Sequence, residues 1–443
     1  MDIQAAYIDK YKAIIQNSDP IKLNGKVQDV IGLVIVSLGP NVALGEICKI
    51  IDHSGNEVCE SEVVGFKEGK VLSIALGEVQ RISPACEIIA TGENFKFGLS
   101  DALLGRVIDG LGNPIDGKGR IKPEIESSIY KEPPQPLERK RISEPLQTGI
   151  RAIDGLLTIG KGQRVGIFAG SGVGKSVALG MIARNTNADV NVIMLIGERG
   201  REVREFIEKD LGEEGLKKSV VIVATSDKSA LIRMKGAFIG TTIAEYFRNK
   251  GKDVVLMMDS VTRFAMAQRE VGLTIGEPPT TKGYTPSVFA ILPKLLERAG
   301  ITNKGSITGF YTVLVDGDDM TEPIADAVRS ILDGHIVLNR KLANRGQYPA
   351  IDTLQSVSRV MPDIIDEDHF RRARVFNEIL STYKEAEELI NIGAYVRGSN
   401  PQIDHAISKI NDLRQFLKQN MTEMALYNET LSRLNEIIEK PIV

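Results

Sequence analysis

The sequence lacks a long apolar run, an excess of basic residues and a basic N-terminal leader. No segment reaches the roughly 20 consecutive apolar residues that a helix needs to cross a bilayer, and the first residues include Asp2 and Asp9. Lys and Arg number 55 against 58 Asp and Glu, so no general basic field indicates binding to nucleic acid or to an anionic membrane. These absences argue against a membrane-spanning protein and predict a cytoplasmic one.

Cysteine is also scarce. Cys48, Cys59 and Cys86 are the only three, and they lack the C-x-x-C spacing that is typical of metal sites. An odd number of cysteines in a chain without a secretory signal favours reduced, buried thiols over disulfides. The cysteines therefore predict a reducing compartment.

The texture of the chain changes several times along its 443 residues, which exceed what one hydrophobic core usually serves. Residues 1–20 have the apolar spacing of an amphipathic helix, which could pack on its own domain or bind a partner. Residues 21–95 contain short β-rich runs that indicate a small barrel or sandwich. Residues 96–364 begin with a Gly- and Pro-rich lead-in and then alternate strands with helices, whereas residues 365–443 are helical.

The alternating region predicts an α/β fold with a mainly parallel sheet covered by helices. Val190–Ile196 and residues 253–258 have the composition of buried strands. Ala230–Asn249 is predicted to be a long helix, and residues 202–211 a charged helix.

A glycine-rich loop in this region indicates a phosphate ligand. Its glycines let consecutive backbone N–H groups face a phosphate chain, its lysine adds a cation for the β- and γ-phosphates, and the next hydroxyl can hold Mg²⁺. An apolar strand precedes the loop and a helix follows it, so the anion would face a helix N-terminus. Ala169 stands where the strict pattern has glycine, at the strand end, where a methyl group is tolerable. The predicted nucleotide-binding residues are Gly170, Ser171, Gly172, Val173, Gly174, Lys175 and Ser176.

Two acidic residues follow predicted strands. Asp259 ends an apolar strand, as expected of a Walker B carboxylate that reaches Mg²⁺ through water. Glu198 follows the strand Val190–Ile196 and is the candidate that orients or deprotonates the attacking water. Because ligands bind at the carboxyl ends of strands in open α/β sheets, these roles are favoured over a simple turn residue for Asp259 and a surface ion pair with Arg199 or Arg201 for Glu198.

A later segment contains Tyr348 and Arg359. An aromatic ring could stack on a base, and an arginine could reach a phosphate. The residues alone favour a core tyrosine and a solvated arginine instead.

Several segments together resemble the catalytic subunits of the rotary ATPase superfamily. Within it the chain is most similar to the flagellar type III export ATPases, and the similarity runs nearly end to end. This resemblance implies an N-terminal β-barrel, a central RecA-like P-loop domain with a mainly parallel sheet, and a C-terminal helical bundle. The segments that carry it are residues 169–176, 197–199, 259–263 and 349–358, supported by 148–157, 276–279 and 318–326.

The resemblance also implies roles for individual residues and a ring. An arginine finger acts on the site of an adjacent subunit, and one chain here contains both the glutamate and the arginine, so a homohexamer of identical copies is expected. The matching residues are Lys175 and Ser176 for phosphates and Mg²⁺, Glu198 for water, Arg199 and Arg263 near the γ-phosphate, Tyr348 for adenine stacking, and Arg359 for the finger.

A protein of this kind is a Mg²⁺-dependent ATPase that assists flagellar type III protein export. The implied partners are a stator-like regulatory protein at the N-terminal helix, export-gate and stalk proteins, and export substrates with their chaperones. The resemblance places it at the cytoplasmic face of the inner membrane as a peripheral protein.

Three alternatives remain open. The first is the homologous ATPase of a virulence injectisome. The second is an RNA-translocating hexameric helicase, which shares the RecA-like core and an N-terminal barrel; residues 21–95 have few aromatics, chiefly Phe66 and Phe95, so nucleic acid is not an expected ligand. The third is a nucleotide-binding scaffold without turnover.

Overall fold

In the computed structural model the protein consists of two compact units. The structure describes residues 24–77, 79–315, 317 and 319–439. One unit contains the described residues up to 95 together with 274–276, and the other contains 96–273 and the described residues from 277 onward. The amphipathic helix predicted over residues 1–20 lies outside the described residues.

The first unit is a closed six-stranded antiparallel barrel. Its strands are β1 Gly25–Ile31, β2 Val34–Leu38, β3 Glu46–Ile51, β4 Glu57–Lys67, β5 Lys70–Ala75 and β6 Glu87–Asn94. They follow one another around the barrel in the order β1-β2-β5-β4-β3-β6. Buried side chains such as Val27, Ile35, Ile50 and Val63 fill the interior. The structure thus decides for a barrel over a sandwich.

The three cysteines are free thiols of this barrel. Cys48 and Cys86 are buried, and Cys59 is half-buried. Burial, with a smaller contribution from Glu46, raises the pKa of the Cys48 thiol to about 12. The thiol of Cys48 is therefore protonated, and unreactive, near neutral pH.

The second unit is built on a nine-stranded sheet. The strands of this unit are β7 Lys96–Leu99, β8 Arg106–Asp109, β9 Ile125–Ser128, β10 Pro145–Leu146, β11 Ile159–Gly160, β12 Arg164–Ala169, β13 Val190–Ile196, β14 Ser219–Ala224, β15 Asp253–Asp259, β16 Gly300–Ile301, β17 Ser306–Leu314, β18 Gly334–Leu338 and β19 Val357–Ser358. The sheet order is β19-β18-β12-β17-β15-β13-β14-β8, with β16 paired to β17. All pairs are parallel except those of β16 and β19, which confirms the predicted α/β fold.

Helices cover this sheet and continue to the end of the described chain. They are α1 Arg151–Leu156, α2 Lys175–Asn185, α3 Gly200–Glu205, α4 Gly212–Lys217, α5 Ala230–Asn249, α6 Val261–Thr274, α7 Pro286–Leu296, α8 Pro323–Ile331, α9 Arg340–Asn344, α10 Met361–Ile364, α11 Glu367–Asn391, α12 Pro401–Leu417 and α13 Tyr427–Glu439. No helix among the described residues is both long and apolar enough to cross a bilayer.

The charged helix predicted over residues 202–211 differs from the observed structure. α3 ends at Glu205, and Phe206–Leu211 continue as a π-helical turn. This turn packs closely on α2, since a methyl group added at Gly180 would lie 2.6 Å from Cβ of Asp210. π-helical turns inside helices are rare and are frequent near functional sites.

The C-terminal helices share one hydrophobic core with the nucleotide-binding part of the second unit. Phe376 of α11 and Phe416 of α12 lie with ring centroids 5.4 Å apart, and both are fully buried. Gly155 of α1 faces the same point, because a methyl group there would lie 3.0 Å from Cζ of Phe416. Phe416 therefore joins the helical bundle to α1.

We predict that Phe416→Ala lowers the free energy of unfolding by about 3–5 kcal/mol, because it leaves a cavity where α1, α11 and α12 meet. Urea unfolding followed by circular dichroism measures the change. Ile392→Ala is the matched control, because this side chain is 75% exposed and its loss should change stability by less than about 0.5 kcal/mol. Equal effects of the two substitutions would contradict the assigned core.

Candidate active site

Three strands of the parallel sheet bring the predicted site residues to one edge, here called the carboxyl edge. The glycine-rich loop of residues 170–176, here called the P-loop, follows β12. Glu198 follows β13 after Gly197, and Asp259 is the last residue of β15. β13 and β15 are direct neighbours, and β17 separates β15 from β12. The carboxyl ends of parallel strands are where ligands bind in open α/β sheets.

The P-loop has the backbone that its sequence predicts. Gly172 and Gly174 have φ angles of +76° and +93°, which side chains with a Cβ rarely adopt. α2 begins at Lys175, so the N–H groups of its first turn face the loop. Val173 is buried between the glycines and anchors the loop to the core. Ala169 is fully buried at the end of β12.

Lys175 lies between the two acidic residues. Its Nζ donates to Oδ1 of Asp259 at 2.5 Å and to Oε1 of Glu198 at 3.3 Å. Thr312 of β17 donates its hydroxyl to the same Oδ1 of Asp259 at 2.8 Å. One ammonium group thus neutralises part of the charge of two largely buried carboxylates.

These contacts change the proton affinities of the site. Burial and the nearby charge of Asp259 raise the pKa of Glu198 to about 7, against an opposing effect of Lys175. Burial alone would lower the pKa of Lys175, but Asp259 and Glu198 outweigh it, and the net change is upward. A carboxylate with a pKa near 7 is suited to take up a proton at neutral pH.

Arg263 and Arg199 differ in how closely they pack on the turn that carries Glu198. Arg263 of α6 packs its aliphatic part on Gly197, where a methyl group would lie 2.8 Å from Cβ of Arg263. Its buried Nε has no hydrogen-bond partner among the described residues. Arg199 is different, because its side chain is 81% exposed and forms an ion pair with Glu202 at 3.6 Å. The structure therefore brings Arg263 to the turn and leaves Arg199 in solvent.

Tyr348 lies beside the start of α2. A methyl group at Gly174 would be 3.7 Å from the Tyr348 ring, which is still 49% exposed. Its carbonyl oxygen accepts a hydrogen bond from the backbone N–H of Gln419 at 2.8 Å. The aromatic face is thus available next to the phosphate loop.

Two further residues of the site carried no sequence signal. Arg340, at the start of α9, donates Nη2 to the carbonyl oxygen of Ser171 at 2.8 Å. Thr312 belongs to a strand that has no recognisable motif. Both reach the site only because β17 and β18 flank β12 in the sheet.

The oxygen atoms at this edge fit Mg²⁺. The Ser176 hydroxyl and the carboxylates of Asp259 and Glu198 line one small cavity. Hydroxyl and carboxylate oxygens are the ligands that Mg²⁺ prefers, together with waters and substrate phosphates. Among the described residues, no cluster of three or more His, Cys, Asp or Glu side chains could hold a metal without a substrate.

Arg359 lies at the opposite edge of the sheet, here called the amino edge. Its backbone N–H donates to the carbonyl oxygen of Asp333, and the N–H of Asp333 donates to the carbonyl oxygen of Arg164 at the start of β12. The P-loop begins six residues later at Gly170, roughly 20 Å along the strand. The exposed Arg359 side chain is therefore remote from Lys175 of its own chain.

Family models match most of the chain. The beta-barrel domain of the ATP synthase alpha/beta family matches residues 27–92, its nucleotide-binding domain matches residues 149–358, and the T3SS EscN ATPase C-terminal domain matches residues 365–436. The flagellum-specific ATP synthase of Bacillus subtilis is 57% identical over 96% of this chain and 97% of its own length. The chain belongs to the ATP synthase alpha/beta family. It is accordingly an ATP-hydrolysing enzyme.

Relatives from secretion systems are also similar. The type 3 secretion system ATPase of Xanthomonas euvesicatoria is 50% identical over 94% of each chain. The assembled ATPase EscN of the enteropathogenic E. coli type III secretion system has a TM-score of 0.89 at 47% identity, covering 94% of this chain and all of that one. EscN in complex with its central stalk EscO has a TM-score of 0.87 at the same identity and coverage.

We predict that Glu198 loses its proton near pH 7 in the nucleotide-free protein. A carbodiimide labels a buried carboxyl group while it is protonated, so labelling of Glu198 should fall as the pH rises through about 7. Mass spectrometry of the labelled peptide measures the midpoint.

Two substitutions test the cause of this pKa. Lys175→Met removes the cation that lowers the pKa and should move the midpoint to higher pH. Asp259→Asn removes the anion that raises it and should move the midpoint to lower pH. An unchanged midpoint in both variants would contradict the assigned charge coupling.

Proposed function

We propose that this protein hydrolyses Mg²⁺–ATP in a homohexameric ring and thereby assists flagellar type III protein export. One observation carries the proposal. Lys175, Glu198 and Asp259 lie at the carboxyl edge of the sheet, whereas Arg359 is exposed at the amino edge of the same sheet. A single chain therefore has two halves of a site that face different directions.

Copies arranged head to tail bring these two halves together. In such an arrangement the amino edge of one copy meets the carboxyl edge of the next, and a rotation that closes gives a ring. Each copy then receives Arg359 from one neighbour and gives its own to the other. The family resemblance supplies the number six.

Each residue of the site has a proposed part in hydrolysis. The P-loop N–H groups and Lys175 hold the β- and γ-phosphates, and the Tyr348 ring stacks on adenine. Ser176 and Asp259 hold Mg²⁺, which neutralises phosphate charge when it is bound. Glu198 orients the attacking water and takes up its proton.

Arginines stabilise the charge that develops on the transferred phosphoryl group. We assign this part to Arg263, which packs on the turn that carries Glu198. Arg359 of the neighbouring copy would approach from the other side of the nucleotide. Arg199 is exposed in the single chain, so we propose that any contact it makes with the γ-phosphate or with a neighbour forms only in the assembled, nucleotide-bound ring.

The ammonium group of Lys175 has different partners in the nucleotide-free site and in the proposed nucleotide-bound site. In the free site its ammonium group offsets the charges of Asp259 and Glu198. A phosphate chain accompanied by Mg²⁺ brings its own anions and cation. In that state Lys175 would turn to the phosphates, Ser176 and Asp259 would hold Mg²⁺, and Glu198 would be free to act on water.

We predict that Glu198→Gln and Arg359→Ala each abolish most ATP hydrolysis while ATP binding persists. Loss of an arginine finger costs ~10³- to 10⁵-fold in rate in phosphoryl-transfer enzymes. A mixture of the two variants should regain activity, because a Glu198→Gln copy gives an intact Arg359 to the intact Glu198 of an Arg359→Ala copy. Phosphate release and titration with a fluorescent ATP analogue measure the two properties.

The matched control is Arg397→Ala, which removes an exposed arginine from the connection between α11 and α12. It should leave the rate unchanged. Specific activity should also rise with protein concentration as the ring assembles. Failure of the mixture to exceed the summed activities of its components would contradict the shared site.

The proposed place in export follows from the similarity to flagellum-specific ATP synthases. The ring would lie at the cytoplasmic face of the inner membrane, where it would receive export substrates and chaperones and contact gate and stalk proteins. The complex of the similar ATPase EscN with its central stalk supports the stalk partner. We propose residues 1–20 as the contact for a stator-like regulatory protein. The injectisome role is the second candidate, favoured by the secretion-system relatives.

We predict that deletion of the gene in its host abolishes swimming and filament export, and that the full chain restores both. Normal swimming after the deletion would instead favour the injectisome role.

A chain without residues 1–20 should no longer co-purify the regulatory partner from these cells but should keep ATP hydrolysis. The control is a chain in which residues 1–20 are present in scrambled order. Undiminished capture of the regulatory partner by the truncated chain would refute the N-terminal contact.

A further inference from the structure

The strand that carries Arg359 is short and has few backbone contacts. β19 contains only Val357 and Ser358 and pairs with the start of β18 through the residue pairs Gly334–Ser358 and His335–Val357. Two residue pairs at the end of a sheet would hold a long arginine side chain poorly. Other contacts must therefore fix the position of this strand.

The Gln163 side chain supplies these contacts. It is fully buried and immediately precedes β12. Its Oε1 accepts a hydrogen bond from the N–H of Gly160 at 2.9 Å. Its Nε2 donates to Ser358 Oγ at 3.0 Å and to the carbonyl oxygen of Asp333 at 3.2 Å. The amide thus joins the turn before β12 to both strands at the rim of the sheet.

The two partners of Gln163 flank Arg359. Asp333 also receives the backbone N–H of Arg359 at 3.0 Å on the same carbonyl oxygen. The carboxylate of Asp333 is fixed in turn by Arg164, whose Nε and Nη2 donate to it, each at 2.9 Å. The hydroxyl of Ser358 donates to the carbonyl oxygen of Thr158 at 2.8 Å. The carbonyl oxygen that receives the Arg359 N–H and the hydroxyl of the preceding Ser358 are therefore both hydrogen-bonded to Gln163.

We propose that Gln163 is a positioning residue for Arg359, and that it acts on the catalytic site of the adjacent copy. This inference rests on the proposed function. An arginine that stabilises transition-state charge must be held within about 0.5 Å of its working position, and a displacement of about 1 Å can cost ~10²-fold in rate. Gln163 supplies that constraint by a buried amide that hydrogen-bonds to Gly160, Asp333 and Ser358.

Gln163 also immediately precedes β12, the strand that leads to the P-loop of its own chain. A change at Gln163 could therefore act through Lys175 of the same copy instead of Arg359. The two explanations differ in which copy is impaired. A defect in Arg359 can be corrected by a neighbour with an intact arginine, whereas a defect in the P-loop cannot.

The experiment uses the full chain with Gln163→Met, which keeps the length of the side chain and removes its hydrogen bonds. Alone, it should lower kcat by roughly 10²-fold, with the KM for ATP changed less than about threefold. Mixed with an excess of Glu198→Gln, each Gln163→Met copy receives an intact Arg359 from its neighbour. Its rate per Gln163→Met subunit should then rise at least about tenfold.

Three comparisons decide the outcome. The mixture of Arg359→Ala with Glu198→Gln shows whether the copies exchange Arg359. If this mixture does not recover ATP hydrolysis, that result by itself overturns both the proposed function and the inference. If that mixture recovers but the Gln163→Met mixture does not, Gln163 does not position Arg359. Gln147→Met is the matched control, because it removes hydrogen bonds to Asn185 and Tyr427 in the same unit and should leave kcat within twofold.

Ser358→Ala repeats the test with a smaller change. It removes the hydroxyl that joins Gln163 to the carbonyl oxygen of Thr158 and leaves the amide in place. We expect a smaller loss of kcat and the same recovery in the mixture. If Gln163→Met does not fold, recovery or its absence with Ser358→Ala decides the inference in the same way.

Discussion

The parallel pairing of β12, β17, β15 and β13 is the constraint on which the site depends. It brings Lys175, Asp259 and Glu198 to one edge, although 84 residues separate the first two along the chain. Two largely buried carboxylates would repel each other and would be costly to desolvate without a cation between them. The ammonium group of Lys175 meets both, and the Thr312 hydroxyl meets one of them. Burial and the charge of Asp259 raise the pKa of Glu198 to about 7 against the opposing effect of Lys175, so the free site already contains a proton acceptor.

The same sheet also connects its two edges through one strand. β12 begins beside Asp333 and Arg359 and ends at the P-loop. It is buried along nearly its whole length, and buried strands pack too densely to deform freely. In a ring of copies, each β12 would therefore connect the P-loop of one site with the arginine that serves another. Gln163 and the P-loop lie at the two ends of this connection. The Gln163 amide therefore positions Arg359 for a neighbouring copy, although it is distant from Lys175 of its own chain.

Much of the fold and part of the site are predictable from local sequence. Val190–Ile196 and Ala230–Asn249 have the bounds expected from the sequence, because a short continuous apolar run is typical of a buried strand, whereas the length of the second segment favours a helix. The P-loop is predictable because its glycines and its lysine are needed in fixed order. The π-helical turn at Phe206–Leu211 is not predictable from local sequence, because this turn packs against Gly180 of another helix. Arg340 and Thr312 were missed because neither belongs to a pattern within its own segment.

The sequence by itself determined the ligand class, the order of the domains and the residues that could hold phosphate, since each depends on chemistry within a few neighbouring positions. Only the tertiary structure decided which of these residues act together. Sheet order brings Arg263 to the turn that carries Glu198, leaves Arg199 in solvent and puts Arg359 at the far edge. No local pattern contains this information, because it arises from the pairing of strands that are distant in the chain. The tertiary structure thus separates the site residues that one copy brings together from Arg359, which a neighbouring copy supplies in the proposed ring.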